Sequence, residues 1–521
     1  MALEEEVSSG LAGQHDYAIV DMKEIEEQCL FLVKNPWAKA MSGTGLTTTD
    51  EELNKRIESL QIHESHLSGS VHSPEHSLPP GLFWIGLDHI FHFFDSMYLN
   101  WNPGLFRYRQ DHHFVWDSAH DKSPDGCFRT NPQYSIHNKA GGLVWLLLTR
   151  HFRSAKPVDS SKESSGDKTL HDEGFISIYA VPSPFRVFSS ISSIKNSAYV
   201  DSPNTLLKLE FAPGSTYTIV ISEQSLMPLR SSFTLSCLSL SPVTMEPAKD
   251  KYMHKIYQHG AWTTTTAGGN AGSALYSSNP QYSIQLPDVC GLSVLLETSS
   301  RSTPVHVAIF WADGKRVRTV ATRNILGDTG EYREGFAFTE IEDVAPGTYT
   351  AVCSTWEPGQ IAEFELHVST TSGGEVSKIP ATGSGQFANG AKSAHFAAGQ
   401  DRLSMPLSTE RINRVSVSAY PNAYSQNPSQ RTGAPLRLSV VYGRGSTAET
   451  LAISGNGEFI QSEISGLHVE DVNIEPKSYY SHGIFIVIER LAIDGSSLAE
   501  TINIHVYSEE AVRLGEWVNE D

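Results

Sequence analysis

Asn131–Ile136 reads N-P-Q-Y-S-I, and Asn279–Ile284 reads N-P-Q-Y-S-I again, letter for letter. A hexapeptide repeated at that distance marks a duplicated unit, and its surroundings agree. A tryptophan precedes each copy (Trp116, Trp262), and an apolar run follows (Leu143–Leu148, Leu292–Leu296). Each copy ends in an A-P-G turn leading into Tyr-Thr, at Ala212–Thr218 and Ala345–Thr350. The Asn-to-Ala distance is 81 residues in the first copy and 66 in the second, a difference of 15. Ser154–Thr169, S-A-K-P-V-D-S-S-K-E-S-S-G-D-K-T, is a polar insert without core residues and accounts for it.

Short apolar runs between turn residues read as a β-sandwich in each copy. Val305, Val307 and Ile309, alternating with His306, Ala308 and Phe310, describe an inner strand covered on both faces. The Asn-Pro is a turn that sets the register of Gln-Tyr-Ser-Ile, a structural role rather than a binding one. The chain is therefore mainly β from residue 107 onward. Its expected divisions are a first sandwich over 107–245, a second over 250–370, a Ser/Gly/Thr-rich linker over 371–392, a diverged third sandwich over 393–508 and a frayed acidic tail over 509–521. The third unit has lost the N-P-Q-Y-S-I signature, and Val415–Ala419, Leu436–Tyr442, Ile484–Ile488 and Ile502–Val506 are its clearest strands.

At 521 residues the chain has room for several domains. A formal charge of −20 and a pI near 5.5 argue against a nucleic-acid partner. No apolar run reaches membrane-spanning length, and M-A-L-E-E-E lacks the basic and apolar regions of a signal peptide. The expectation is a soluble, cytoplasmic protein. Five cysteines (29, 127, 237, 290, 353) show no metal-ligand or disulfide spacing, so no cofactor or metal is expected from them.

Chemistry is expected at the other end. His15 opens the run Tyr17–Met22, the turn carries Glu24, Glu26 and Glu27, and Leu30–Val33 leads to Asn35 and Trp37. An antiparallel hairpin brings His15 and Asn35 side by side. Imidazole beside amide is the base-plus-orienter pair that a cysteine nucleophile needs: the ring takes the thiol proton, the amide oxygen fixes its tautomer, and Trp37 could shield the bond. The cysteine itself is missing; Cys29 sits in the expected turn and the other four follow much later.

Thr49-Asp50-Glu51-Glu52 has the form of a capping box for a helix to about Leu60. Gln61–Pro80 is a polar loop whose His63, His66, His72 and His76 read as solvated rather than as a metal site. In G-L-F-W-I-G-L-D-H-I-F-H-F-F-D-S-M-Y-L-N-W-N-P-G, Leu87, Ile90, Phe91, Phe94 and Tyr98 recur at helical spacing and would bury one face. Asp88, His92 and Asp95 share the opposite face, where they could ligand a metal, but a solvated helix face is the plainer reading.

His15 with Asn35-Pro36-Trp37, and the F-W-I…N-W-N-P segment, resemble the second half of a calpain-type catalytic domain, of the fungal PalB type and its animal counterpart calpain-7. The resemblance implies that 1–106 is the His/Asn lobe of a papain-like, α+β protease domain, with His15 and Asn35 as catalytic residues. It also implies that two or three calpain domain-III-like, C2-like β-sandwiches follow. The family's nucleophile motif, Q-G-x-x-G-D-C-W, does not occur, so the chain is expected to be a C-terminal part of such a protease, inactive alone. Neither an EF-hand loop nor the family's N-terminal docking domain is found. A C2-like calcium role for Glu340, Glu342 and Asp343 is less expected than a plain acidic loop. The function implied is cysteine-type endopeptidase: limited cleavage of a PacC-type zinc-finger transcription factor in ambient-pH signalling, with ESCRT-III components as partners and recruitment to endosomal membranes. The alternative is a non-catalytic β-sandwich binding or scaffold protein.

Overall fold

The computed structural model describes residues 16–25, 28–35, 82–95, 97–117, 123–151, 174–225, 231–421, 434–445, 448–461, 466–476, 482–491 and 499–519. His15, Trp37, the expected helix after Thr49, the four-histidine loop and the insert Ser154–Thr169 lie outside these residues. The chain divides into two compact units, Met1–Pro103 and Gly104–Asp521.

In the first unit, β1 (Ala18–Ile25), β2 (Gln28–Lys34) and β3 (Leu82–Gly86) form an antiparallel sheet in that order. Helix α1 (Leu87–Phe93) follows β3 directly. The hairpin expected from the alternating runs is present, but its strands extend through most of the acidic turn. Cys29 is accordingly a strand residue, opposite Glu24. The helix is shorter than the apolar spacing suggested. Ile90 is buried, with Leu87 and Phe94 packed against the same core, whereas Phe91 and Tyr98 are exposed. The backbone leaves helical geometry at Phe94, so helical periodicity no longer relates Tyr98 to Ile90.

The second unit is a threefold repetition. The first sandwich contains β4 (Tyr108–Trp116), β5 (Gln133–Asn138), β6 (Gly142–Arg150), β7 (Phe175–Val181), β8 (Lys195–Asn196), β9 (Asn204–Phe211), β10 (Ser215–Gln224), β11 (Ser231–Ser239) and β12 (Thr244–Pro247). Its two sheets run β4-β11-β6-β9 and β12-β5-β10-β7-β8. The second contains β13 (His254–Trp262), β14 (Gln281–Leu286), β15 (Cys290–Thr298), β16 (Pro304–Phe310), β17 (Ile325–Asp328), β18 (Arg333–Glu334), β19 (Phe336–Val344), β20 (Gly347–Thr355), β21 (Ala362–Thr370) and β22 (Glu375–Ile379). Its sheets run β13-β21-β15-β19 and β17-β16-β20-β14-β22, with β18 added beside β16. The third contains β23 (Phe387–Phe396), β24 (Arg402–Ser408), β25 (Asn413–Pro421), β26 (Leu436–Tyr442), β27 (Glu449–Ile453), β28 (Leu467–Ile474), β29 (Ile484–Arg490), β30 (Glu500–Ser508), β31 (Arg513–Leu514) and β32 (Val518–Asn519). Its sheets run β23-β30-β25-β28 and β27-β26-β29-β24-β31, with β32 also on β24. Strand for strand, the three orders are the same. The third sandwich has thus kept the topology after losing the hexapeptide.

Two expectations near the boundaries change. The linker placed over 371–392 supplies β22 at one end and β23 at the other, and β22 pairs with β14. The tail placed over 509–521 supplies β31 and β32, with Val512, Leu514 and Trp517 against the third core. Short edge strands carry few apolar residues, so their sequences look like loop.

The hexapeptide is structural, as its turn chemistry suggested, and the reason lies in its glutamine. The strand begins at Gln133 and Gln281, and both side chains are buried. Gln133 donates to the Phe128 and Val187 carbonyls and accepts from the Val187 N–H. Gln281 donates to the Ser277 and Val317 carbonyls and accepts from the Val317 N–H at 2.7 Å. The preceding arginines complete each clamp: Arg186 donates to the Arg129 and Asn131 carbonyls, and Arg316 to those of Ser277 and Asn279. Each amide thus pins the same loop to the same strand start.

The inner strand around Val307 is covered on both sides. Val305, Val307 and Ile309 enter the main core, and Ala308 and Phe310 pack with Tyr276, Val317 and Val352 on the other face. His306 shares that second face, stacked on Tyr332 at 4.8 Å between ring centroids. Burial pushes its imidazole pKa down, outweighing the charge of Asp328. The unfolded chain therefore takes up a proton that the fold resists as pH falls below about 6.5. Thermal melts of the purified chain should show a lower midpoint at pH 5 than at pH 7, and His306→Phe should reduce that difference. An unchanged pH dependence in the variant would count against this assignment.

Candidate functional site

The hairpin positions the expected site. Ala18 lies opposite Lys34 and Ile25 opposite Gln28, with a bulge between Ile19 and Asp21. Asn35 is the residue after β2, half-buried, at the open end of the hairpin where Asp16 and Tyr17 lead into β1. Phe31, Val33, Ile85 and Ile90 form the core beneath it. Tyr17 closes that end, with its ring edge-on to Phe94 at 5.6 Å and to Phe83 at 6.2 Å. Lys23 lies over the Trp84 ring at 5.3 Å. β1 turns Ile19, Val20 and Met22 to the surface, an apolar stripe of a kind that soluble sheets rarely leave bare.

None of the four cysteines beyond residue 100 resembles an activated thiol. All four are buried. Burial pushes the Cys237 thiol up to about 12, and pushes Cys353 well above the ordinary thiol range. Burial, reinforced by the adjacent Glu297 carboxylate, does the same to Cys127. A nucleophilic cysteine needs the opposite environment. Cys29 packs at the margin of the hairpin core.

The candidate metal groups weighed in the sequence do not assemble among the described residues. Asp88 and His92 are exposed on α1, and Asp95 falls beyond the helix end. Glu340, Glu342 and Asp343 lie on β19 rather than in a loop, and Glu342 pairs with Lys251 at 2.7 Å. A different cluster escaped the sequence reading. Glu297, Glu365 and His367 bring a ligand atom each within 4.8 Å of one another. Glu297 and Glu365 border a cavity of about 660 Å³ between the first two sandwiches, also lined by Arg129 and His259. Its signal in the sequence was only the alternation Glu365-Leu366-His367, which puts both polar side chains on one face of a strand.

Comparison with known proteins agrees with the PalB-type resemblance. The family described as "Calpain-like protease palB-like, C-terminal domain" matches residues 382–521, the third sandwich. The calpain-like protease palB of Emericella nidulans is 40% identical over 519 residues, 99% of this chain and 58% of the relative. Its Aspergillus oryzae counterpart is 37% identical over 98% of this chain. Human calpain-7 is 26% identical over 68% of this chain and 43% of its own length. A solved archaeal-virus structure described as a triple jelly roll covers 78% of the chain at 11% identity, but its TM-score of 0.15 carries no argument. The chain spans somewhat over half the length of the fungal relatives it matches. Along that span, sandwiches and hairpin alike, it is a PalB-type calpain-like protein.

Proposed function

We propose that the chain contributes the His/Asn lobe and the trailing sandwiches of a calpain-like cysteine endopeptidase. The observation that carries this reading is Asn35 at the open end of the β1–β2 hairpin, beside a strand face left apolar and bare. In this reading His15 is the general base, Asn35 orients its ring, and the bare face of β1 packs on the lobe that carries the nucleophile. The thiolate attacks the scissile carbonyl, the protonated His15 delivers its proton to the leaving amine, and water then hydrolyses the acyl-enzyme. The substrate class is a folded protein cut at an exposed segment, and by family a PacC-type zinc-finger transcription factor. ESCRT-III components and a cytoplasmic location with recruitment to endosomal membranes belong to the same proposal.

The 521 residues contain no Q-G-x-x-G-D-C-W motif. A thiol-reactive protease probe should therefore leave the purified chain without activity-dependent labelling. Adding the nucleophile-bearing segment of the Emericella relative should restore labelling on that segment's cysteine. Labelling of Cys29 in the chain alone would overturn the assignment.

A further inference from the structure

We propose that Glu297, Glu365 and His367 form a divalent transition-metal site, of the zinc class, on the outer face of the second sandwich, with His259 beside it. The four residues come from three adjacent strands. Glu297 on β15 lies directly opposite Glu365 on β21, and Glu365 lies directly opposite His259 on β13. His367 is two residues from Glu365 and therefore on the same face. Two carboxylates facing each other across a sheet repel, and this pair is held partly away from water, with Glu297 only 9% exposed. A cation stabilises such a pair, and Arg129 meets it at Glu297.

The imidazole gives the second, independent indication. The His367 side chain is 93% buried, given its 7% exposure, and no atom meets either ring nitrogen with hydrogen-bond geometry. Its Nε2 nevertheless stands 3.1 Å from Glu297 Oε2 and 3.4 Å from Glu365 Oε2. His259 Nδ1 stands 3.2 Å from Glu365 Oε1. Ligand atoms at 2.0–2.1 Å around a tetrahedral zinc are separated by about 3.3 Å, and the spacings of His367 Nε2 from the two carboxylates fit such a shell, while His259 meets Glu365 at its other oxygen. The Tyr257 ring, edge-on to His367 at 5.0 Å, holds the imidazole in place. Imidazole with carboxylate favours zinc-class ions over calcium, which takes oxygen ligands throughout.

Arg129 of the first sandwich meets Glu297 at the same oxygen, and the Cys127 thiol donates to its other oxygen at 3.4 Å. The guanidinium is partly exposed to the adjoining cavity and can turn into it. A bound ion would take its place on Glu297, which couples occupancy to the contact between the first two sandwiches.

The test uses the whole 521-residue chain, stripped with chelator and dialysed against Zn²⁺ alone. The wild type should hold one more Zn²⁺ than either Glu365→Gln or His367→Gln, since the histidine-rich loop is common to all three. Zn²⁺ should raise the melting temperature of the wild type by about 3 °C or more, and that of Glu365→Gln by less than about 1 °C, with Ca²⁺ ineffective in both. Glu365 is 42% exposed, so its variant retains the fold even if His367→Gln does not. Equal zinc content in wild type and Glu365→Gln would overturn the proposal. So would an equal rise with Ca²⁺, or a cluster that responds to pH but not to Zn²⁺ and is thus an ionic latch. None of these readouts depends on peptidase activity, so the site stands or falls apart from the proposed function.

Discussion

His15→Ala is expected to abolish peptidase activity in a fusion of the Emericella relative's nucleophile-bearing segment to this chain, by about 10⁴-fold or more in kcat/KM. The imidazole is the only group in the proposed constellation that can take the thiol proton, so its loss removes the nucleophile as well as the acid. Asn35→Ala should cost less, on the order of 10²-fold, because the ring is still present but its tautomer is no longer held. The expected distinction lies in the pH profile. Removing the orienter should shift the limb that reports the imidazole, whereas a merely structural asparagine would lower activity at every pH alike. Assays of kcat/KM from pH 5 to 9 on the three fusions decide the matter. Full activity in His15→Ala would end the catalytic reading.

Gln281→Leu should have the largest effect on stability, about 3–5 kcal/mol for the second sandwich. The substitution fills nearly the same volume but takes the side-chain partner from the Val317 N–H and the Val317 carbonyl, each such loss costing roughly 1–3 kcal/mol, while the Ser277 carbonyl keeps only Arg316. Gln133→Leu should reproduce the effect in the first sandwich, since the Phe128 and Val187 carbonyls and the Val187 N–H are served in the same way. Denaturant melts followed by the fluorescence of Trp262, which is fully buried and donates to the Cys353 carbonyl, can report the second domain. A loss below about 1 kcal/mol would show that water replaces the amide and that the repeat is conserved between the copies for another reason.

Much of this architecture could be read from local pattern. The repeated hexapeptide, the Trp before it and the A-P-G turn after it were enough to find two sandwiches, because a β-strand buried on both faces writes itself as an apolar run. The hairpin before Asn35 was legible for the same reason, while its kinship with the PalB type came from the resemblance of the N-P-W and F-W-I…N-W-N-P segments. The limits were also local. Tyr98 has helical spacing, but spacing cannot say where a helix stops, and α1 ends at Phe93; Phe91 lies within the helix yet is exposed. Edge strands such as β22 and β31 are short and polar because they face solvent, and they read as linker and tail.

The sequence by itself determined the class of the fold and the duplication, which depend on residues near one another in the chain or on an outright repeat, and it singled out His15 and Asn35 as the pair proposed here. Only the tertiary structure decided that the third unit repeats the first two strand for strand, for topology is a matter of which distant strands pair. It also decided what the hexapeptide's glutamine does, since its partner Val317 lies 36 residues away from Gln281. And it alone assembled Glu297, Glu365, His367 and His259, scattered over three strands and adjacent because antiparallel pairing brings opposite residues within about 5 Å.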